Sequence, residues 1–235
     1  MDPYRAVADS AGVLEPLAAS AQEAHLVARY FPAADVRLGR AASAAYLLHA
    51  PLNQYRVIHV ATHAFVDDRS VARTALVLAP GDGESGFVTP TQLASLHLDA
   101  DLVVLSACRT ASGVVIDGDG IQGLTAPLLA AGARSVVATQ WRVGDRAIVP
   151  IVDAFYRAMA RGLPVGDALG AAKRNAMASG AHVGDWAALT VVGDPLVHPP
   201  LHRPGPSALA VAAWSLLLLF IGIGLGMAYA NRRTT

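Results

Sequence analysis

The chain predicts an α/β domain with a mostly parallel sheet, followed by one C-terminal membrane helix. Three observations predict it. Short β-branched apolar runs alternate with segments that are apolar at helical spacing. Two runs, 101–107 (DLVVLSA) and 134–140 (RSVVATQ), are almost continuously apolar, as strands buried on both faces of a parallel sheet are. Residues 207–229 hold no charged side chain.

The elements follow in chain order. Residues 21–31 (AQEAHLVARYF) read as a helix that Pro32 ends, and 41–49 as a shorter helix ended by Pro51. Residues 56–62 (RVIHVAT) and 75–79 (ALVLA) read as strands, with a turn-rich loop at 81–86. A short helix covers 91–96, with Thr89 or Pro90 at its start. The strand at 101–107 leads to a Gly/Asp-rich loop at 114–120, then a helix over 121–131 with Gly132 as its cap. After the strand at 134–140, helices are predicted at 148–160 and 165–177, each closely followed by glycine (Gly162, Gly180). A last strand, 186–192, is closed by the turn Gly193-Asp194-Pro195.

Composition narrows the function. Hydrophobic residues make up 54% of the 235 residues, which excludes a disordered chain. Eighteen basic residues balance 18 acidic ones, so no basic excess exists to neutralise phosphates, and nucleic-acid binding is not expected. A lone cysteine, Cys108, excludes an intrachain disulfide and a zinc site built on a Cys cluster.

Much of the apolarity lies at 207–229 (SALAVAAWSLLLLFIGIGLGMAY). A helix of that length spans roughly 34 Å, enough for a hydrocarbon core of about 30 Å. Pro204 and Pro206 separate it from the preceding domain. The expected organisation is a globular domain at 1–200, a Pro/Gly linker at 201–206, the membrane helix at 207–229 and a basic tail at 230–235. The opening MDPYRAVADSAG lacks the apolar core of a signal peptide. The simplest topology is a cytoplasmic domain on a single-pass C-terminal anchor, although Arg232 and Arg233 pull against that orientation.

Chemistry concentrates at two strand ends. RVIHVATH ends in His63 and DLVVLSAC ends in Cys108. Ligands of parallel sheets bind outside the carboxyl ends of the strands, so a thiol and an imidazole there can face one crevice. Thiolate is the nucleophile and imidazole moves the proton in such a pair. Cys108 also has the bland reading of a small buried hydrophobe. Gly118, Gly120 and Gly123 spell the dinucleotide pattern, but about ten residues separate them from the preceding strand. His59 and His63 have metalloprotease spacing without the required Glu, and His59 reads as a hydrogen-bonded core histidine. Ser106 lacks the surrounding G-x-S-x-G of a serine nucleophile. His182 and His198 fall in loops, where the sequence offers them no partner.

The segments HVATHAF, LVVLSACRT, GDGIQGL, LLAAGARSVVATQWRVGD and WAALTVVGDP, in that order, resemble the CHAT peptidases. These are caspase-like cysteine peptidases related to separase and often fused to TPR repeats. The resemblance covers about residues 21–195. It implies a caspase-like three-layer α/β sandwich with His63 and Cys108 as the catalytic dyad. Backbone N–H groups of Ala64 and Cys108 would hold the oxyanion; the family often has Gly where Ala64 stands, and a position needing positive φ would be strained. Trp141-Arg142-Val143-Gly144-Asp145 is similar to a segment near the separase substrate pocket. Asp145 is the first candidate to receive a basic P1 side chain, and Asp119 the second; turn chemistry is the plainer reading of both. The resemblance, together with the apolar run at 207–229, thus leads to the expectation of a membrane-anchored cysteine endopeptidase that cleaves a protein partner without metal or organic cofactor. The sequence shows no TPR repeats, so either a TPR-type regulator is a separate protein or this is a short or truncated member. The alternative is a catalytically silent scaffold acting through protein contacts.

Overall fold

The computed structural model describes residues 17–65, 74–107, 114–116 and 120–202, with 114–116 and 120–122 described by backbone alone. All lie in one unit, Met1–His202. The helices are α1 (Ser20–Ala28), α2 (Ala44–His49), α3 (Pro90–Ala94), α4 (Thr125–Ala130), α5 (Asp145–Ala160), α6 (Val165–Ala178) and α7 (Val183–Trp186). The strands are β1 (Val57–Ala61), β2 (His63–Phe65), β3 (Ala75–Val77), β4 (Phe87–Val88), β5 (Leu102–Ser106), β6 (Val114–Ile116), β7 (Gly120–Gln122), β8 (Ser135–Thr139) and β9 (Leu189–Gly193).

The central sheet has the order β1-β5-β8-β9. β1, β5 and β8 are parallel and β9 is antiparallel to β8. All five residues of β5 and all five of β8 are buried, which accounts for their unbroken apolar runs. Alternate residues feed two cores. Leu102, Val104 and Val137 pack with α1, α5 and α6 on one face. Val103, Leu105, Val136 and Ala138 pack with α2, α3 and α4 on the other. The result is a sheet between two helical layers.

Local chemistry places the helices. α3 opens on a capping box, Thr89 with Gln92, and Pro90 fills its first turn. α5 buries Ile148, Ile151, Val152, Phe155 and Met159 on one face. After α4 the chain turns at Gly132 with φ +112°, and a Cβ there would stand 2.2 Å from the Leu98 carbonyl oxygen. Glycine is therefore required at that position.

Four expectations need correction. The loop at 114–120 and the helix at 121–131 divide differently: β6 and β7 form an antiparallel hairpin, and α4 begins only at Thr125. Val114, Val115 and Ile116 are β-branched, and that preference outweighs the glycines around them. Trp186 ends α7 rather than opening the last strand, which is β9. The strand ending in His63 divides at Thr62, and His63 opens β2 in a second sheet of order β2-β3-β4. The membrane anchor is not supported. Among the described residues no helix is long and apolar enough to cross a membrane. α5, the longest of them, has 16 residues and carries Asp145, Arg146, Asp153 and Arg157; it spans roughly 24 Å, short of a hydrocarbon core of about 30 Å. Residues 207–229 lie outside the described residues. Neither the single-pass anchor nor the cytoplasmic placement that rested on it is supported.

Candidate active site

Register brings the two chemical strand ends together. β1 and β5 run in parallel step, with Ala61 opposite Ser106. One residue on, the Thr62 N–H donates to the Ser106 carbonyl at 3.2 Å. The Thr62 hydroxyl donates to the Val77 carbonyl of β3. Thr62 thus fixes the chain where it leaves the central sheet, and His63 follows at once, opposite Val77 in the β2–β3 pair. His63 is half-buried and lines a cavity of about 460 Å³ shared with Tyr46, Leu47 and Thr62.

The chain entering Cys108 is held as firmly. Ser106 and Ala107 are buried. The Ala107 carbonyl accepts the hydroxyl of Thr139, the last residue of β8. Sequence reasoning passed over both threonines. Their signal was present, since an Ala-Thr pair closes β1 (Ala61-Thr62) and another closes β8 (Ala138-Thr139). Cys108 and Asp119 lie outside the described residues.

Ala64 sits in β2 opposite Leu76. Asp82 is the only non-glycine residue with positive φ among those described, so Ala64 carries no such strain. Asp145 is the first residue of α5. It joins Ala61, Thr62, Ser106, Ala107 and Thr139 around a recess of about 30 Å³ at the carboxyl ends of the three parallel strands. One carboxylate oxygen accepts the Ala19 N–H at 2.6 Å, so the acid holds the entry to α1.

The remaining histidines separate cleanly. His59 is a core residue: Nε2 lies 2.9 Å from Glu23 Oε1 and Nδ1 lies 3.1 Å from the Tyr156 hydroxyl. Burial pushes the Tyr156 phenol well above its ordinary range, with the Glu23 charge adding to the effect. His182 has a partner after all, since its Nδ1 accepts the Gly184 N–H and caps α7. His198 is exposed. Among the described residues no three His, Cys, Asp or Glu side chains converge as a metal centre needs.

With this geometry in hand, the family profile of the CHAT domain matches residues 2–194. The chain belongs to the CHAT domain family. That family is related to caspase-like cysteine peptidases, and the motifs from HVATHAF to WAALTVVGD fall inside the matched region. Tetratricopeptide repeat protein 28 of Mus musculus is 38% identical over 109 residues, which is 46% of this chain and 4% of that protein. Tetratricopeptide repeat protein 28 of Homo sapiens is 33% identical over the same length and shares. The chain thus spans a small fraction of these relatives.

Proposed function

We propose that the chain is a cysteine endopeptidase acting on a protein substrate, with residues 1–200 as its catalytic domain. The observation that carries the reading is the bond from Thr62 N–H to Ser106 C=O. It locks together the two strand ends from which His63 and Cys108 depart. In this mechanism the Cys108 sulfur attacks the scissile carbonyl as thiolate, forming a C–S bond while the carbonyl electrons move onto oxygen. Backbone N–H groups of Ala64 and Cys108 receive that oxyanion. The intermediate collapses with cleavage of the C–N bond, and His63 gives its proton to the departing amine. Water, deprotonated by His63, then hydrolyses the thioester and restores the thiolate. No metal or organic cofactor enters. Asp145, with Asp119 as the second candidate, would receive a basic P1 side chain. The tetratricopeptide repeat names of the two relatives support a TPR-type regulatory partner.

One observation favours a scaffold that does not cleave. The Ala19 N–H already occupies the Asp145 carboxylate, and the recess beside it holds about 30 Å³, too little for a guanidinium. Covalent labelling decides between the two readings. An electrophilic peptide with arginine at P1 should label the full chain stoichiometrically at Cys108. His63→Ala should slow labelling roughly a thousandfold, the scale of general acid–base catalysis. Asp145→Asn should erase the preference for arginine over norleucine. A folded chain that takes neither probe rules out a peptidase active on its own and leaves a partner-activated enzyme or the scaffold.

A further inference from the structure

α1 begins on a borrowed cap. Its N-cap residue is Ala19, whose side chain cannot satisfy the free N–H groups of a first turn. The Ala19 N–H itself donates to the carboxylate of Asp145, 126 positions away at the start of α5. Among the described residues this is the one hydrogen bond that ties residues 17–22 to another element. The turn holds weakly in other ways too. Leu17 and Ser20 are half-buried, Ala18, Ala21 and Gln22 are exposed, and Ala19 buries a single methyl group.

One turn further on, the helix is anchored. Glu23 is 1% exposed and bound to His59, and Val27 and Tyr30 are buried beyond it. Local stability therefore rises along α1, with Glu23 as the pivot. The sequence also supplies a second place to begin. Ser20 is a preferred capping residue and stands three before Glu23. The helix can restart there, with the Ser20 hydroxyl accepting the Glu23 N–H that now bonds the Ala19 carbonyl. The first turn meanwhile shields the acid. Leu17 and Ser20 wall the recess of about 30 Å³ that Asp145 shares with Thr62, Ala107 and Thr139. None of the described residues around it is Lys or Arg, so the carboxylate holds a neutral N–H where a cation would bind more strongly.

We propose that residues 17–20 are an autoinhibitory latch over Asp145. The Ala19 N–H stands in for the basic side chain of a substrate, and a guanidinium that reaches Asp145 displaces the first turn of α1 and opens the recess. The small recess is then the closed state of the site. One carboxylate serves both partners, so the coupling is reciprocal: holding residues 17–20 in place weakens binding of the basic side chain, and binding it frees them. Calling the displacing group a substrate side chain rests on the peptidase reading; the exchange of partners at Asp145 does not.

The test follows the Ala19 amide by hydrogen exchange in the full chain carrying Cys108→Ala. Acetyl-arginine methylamide is the ligand and acetyl-norleucine methylamide the control. The arginine compound should speed exchange at Ala19 about tenfold or more and leave Val27, beyond the pivot, unchanged; the norleucine compound should do neither. Asp145→Asn keeps an oxygen for the N–H but loses the charge, and should abolish the response. In the chain with Cys108 intact, Ala19→Pro removes the N–H. It should raise labelling by the P1-arginine electrophile about tenfold, roughly the value of one hydrogen bond, and leave the norleucine rate unchanged. The latch is overturned if Ala19 exchange ignores arginine or responds equally to norleucine. It is also overturned if a chain that labels does so at the parental rate when it carries a folded Ala19→Pro. An Ala19 amide that stays protected in chains labelled by the arginine probe, with a preference that needs Asp145, sinks the latch and keeps the peptidase. An Ala19 amide that responds to arginine while Cys108 takes neither probe, with or without Ala19→Pro, keeps the latch and rules out a peptidase active on its own.

Discussion

The two ends of the central sheet are built from different chemistry. At the amino end, charges close the sheet. Asp101, just before β5, accepts two bonds from Arg56, just before β1, at 2.6 and 3.1 Å. Arg134, just before β8, reaches Asp101 at 3.4 Å and Asp194, just after β9, at 3.1 Å. At the carboxyl end the ties between strands are uncharged, and the Asp145 carboxylate there holds the Ala19 N–H instead. Thr62 and Thr139 donate to backbone carbonyls beside the candidate dyad. The charges of the amino end pair with one another, so that end reads as stability; the carboxyl end sets His63 and Asp145 beside the cavity and the recess where a substrate would lie.

The largest effect expected from breaking this contrast is at Asp101. Its side chain is 7% exposed, whereas Arg56 and Arg134 are 43% and 56% exposed. Asp101→Ala removes the shared acceptor but leaves two arginines that water can solvate. The loss should be about 2 kcal/mol, the value of charge-assisted hydrogen bonds rather than of a stranded buried charge. Urea unfolding measures it. The labelling rate of Cys108, at the opposite end, should not move; a fall in that rate would show that the two ends are coupled and would break the comparison.

How much of this was legible in sequence follows the same division. β5 and β8 were readable because burial on both faces writes a continuous apolar run. α5 and α6 were readable from their periodicity, and their ends from Gly162 and Gly180, which adopt φ of +97° and +75°. His59 was readable as a core histidine, though not its partners Glu23 and Tyr156. The division of β1 from β2 was not readable, because it depends on Thr62 bonding two different strands rather than on any local propensity. The hairpin of β6 and β7 was masked by turn residues around a three-residue run. The bond from Ala19 to Asp145 spans 126 positions, beyond the reach of any spacing rule. Candidate residues could be named from motifs, but their ties are tertiary.

The carboxyl end sharpens the contrast at smaller magnitude. Thr139→Val removes the donor to the Ala107 carbonyl while keeping the side chain's shape, and Thr139 is 2% exposed. A buried carbonyl losing its partner should cost about 1 kcal/mol of stability. The larger consequence is positional, because Ala107 precedes Cys108. Labelling of Cys108 should slow about tenfold, as small displacements of a reacting group do. Thr139→Ser keeps the donor and should restore the rate. If the valine variant labels at the parental rate, Thr139 belongs with Asp101 as a stability residue, and the carboxyl end loses its distinct character.

The smallest effect is electrostatic and lies on the rim of the cavity beside His63. Asp35 accepts hydrogen bonds from Arg37, Tyr46 and Tyr55. The Arg37 guanidinium, then the Tyr46 hydroxyl, lower its carboxyl from 3.8 to about 2. A folded-state value below the unfolded one means that the ionised carboxylate stabilises the fold. That contribution is complete above about pH 4 and disappears as pH falls through about 2. Asp35→Asn keeps the shape but not the charge. The gap in unfolding midpoint between parent and variant should therefore be widest near neutral pH and close on acidification. Because the pair lies at the surface, salt should also shrink the gap. A gap that stays constant down to pH 2 would mean that the carboxylate's charge is not its source, and that the rim, like the threonines below it, is held without charge.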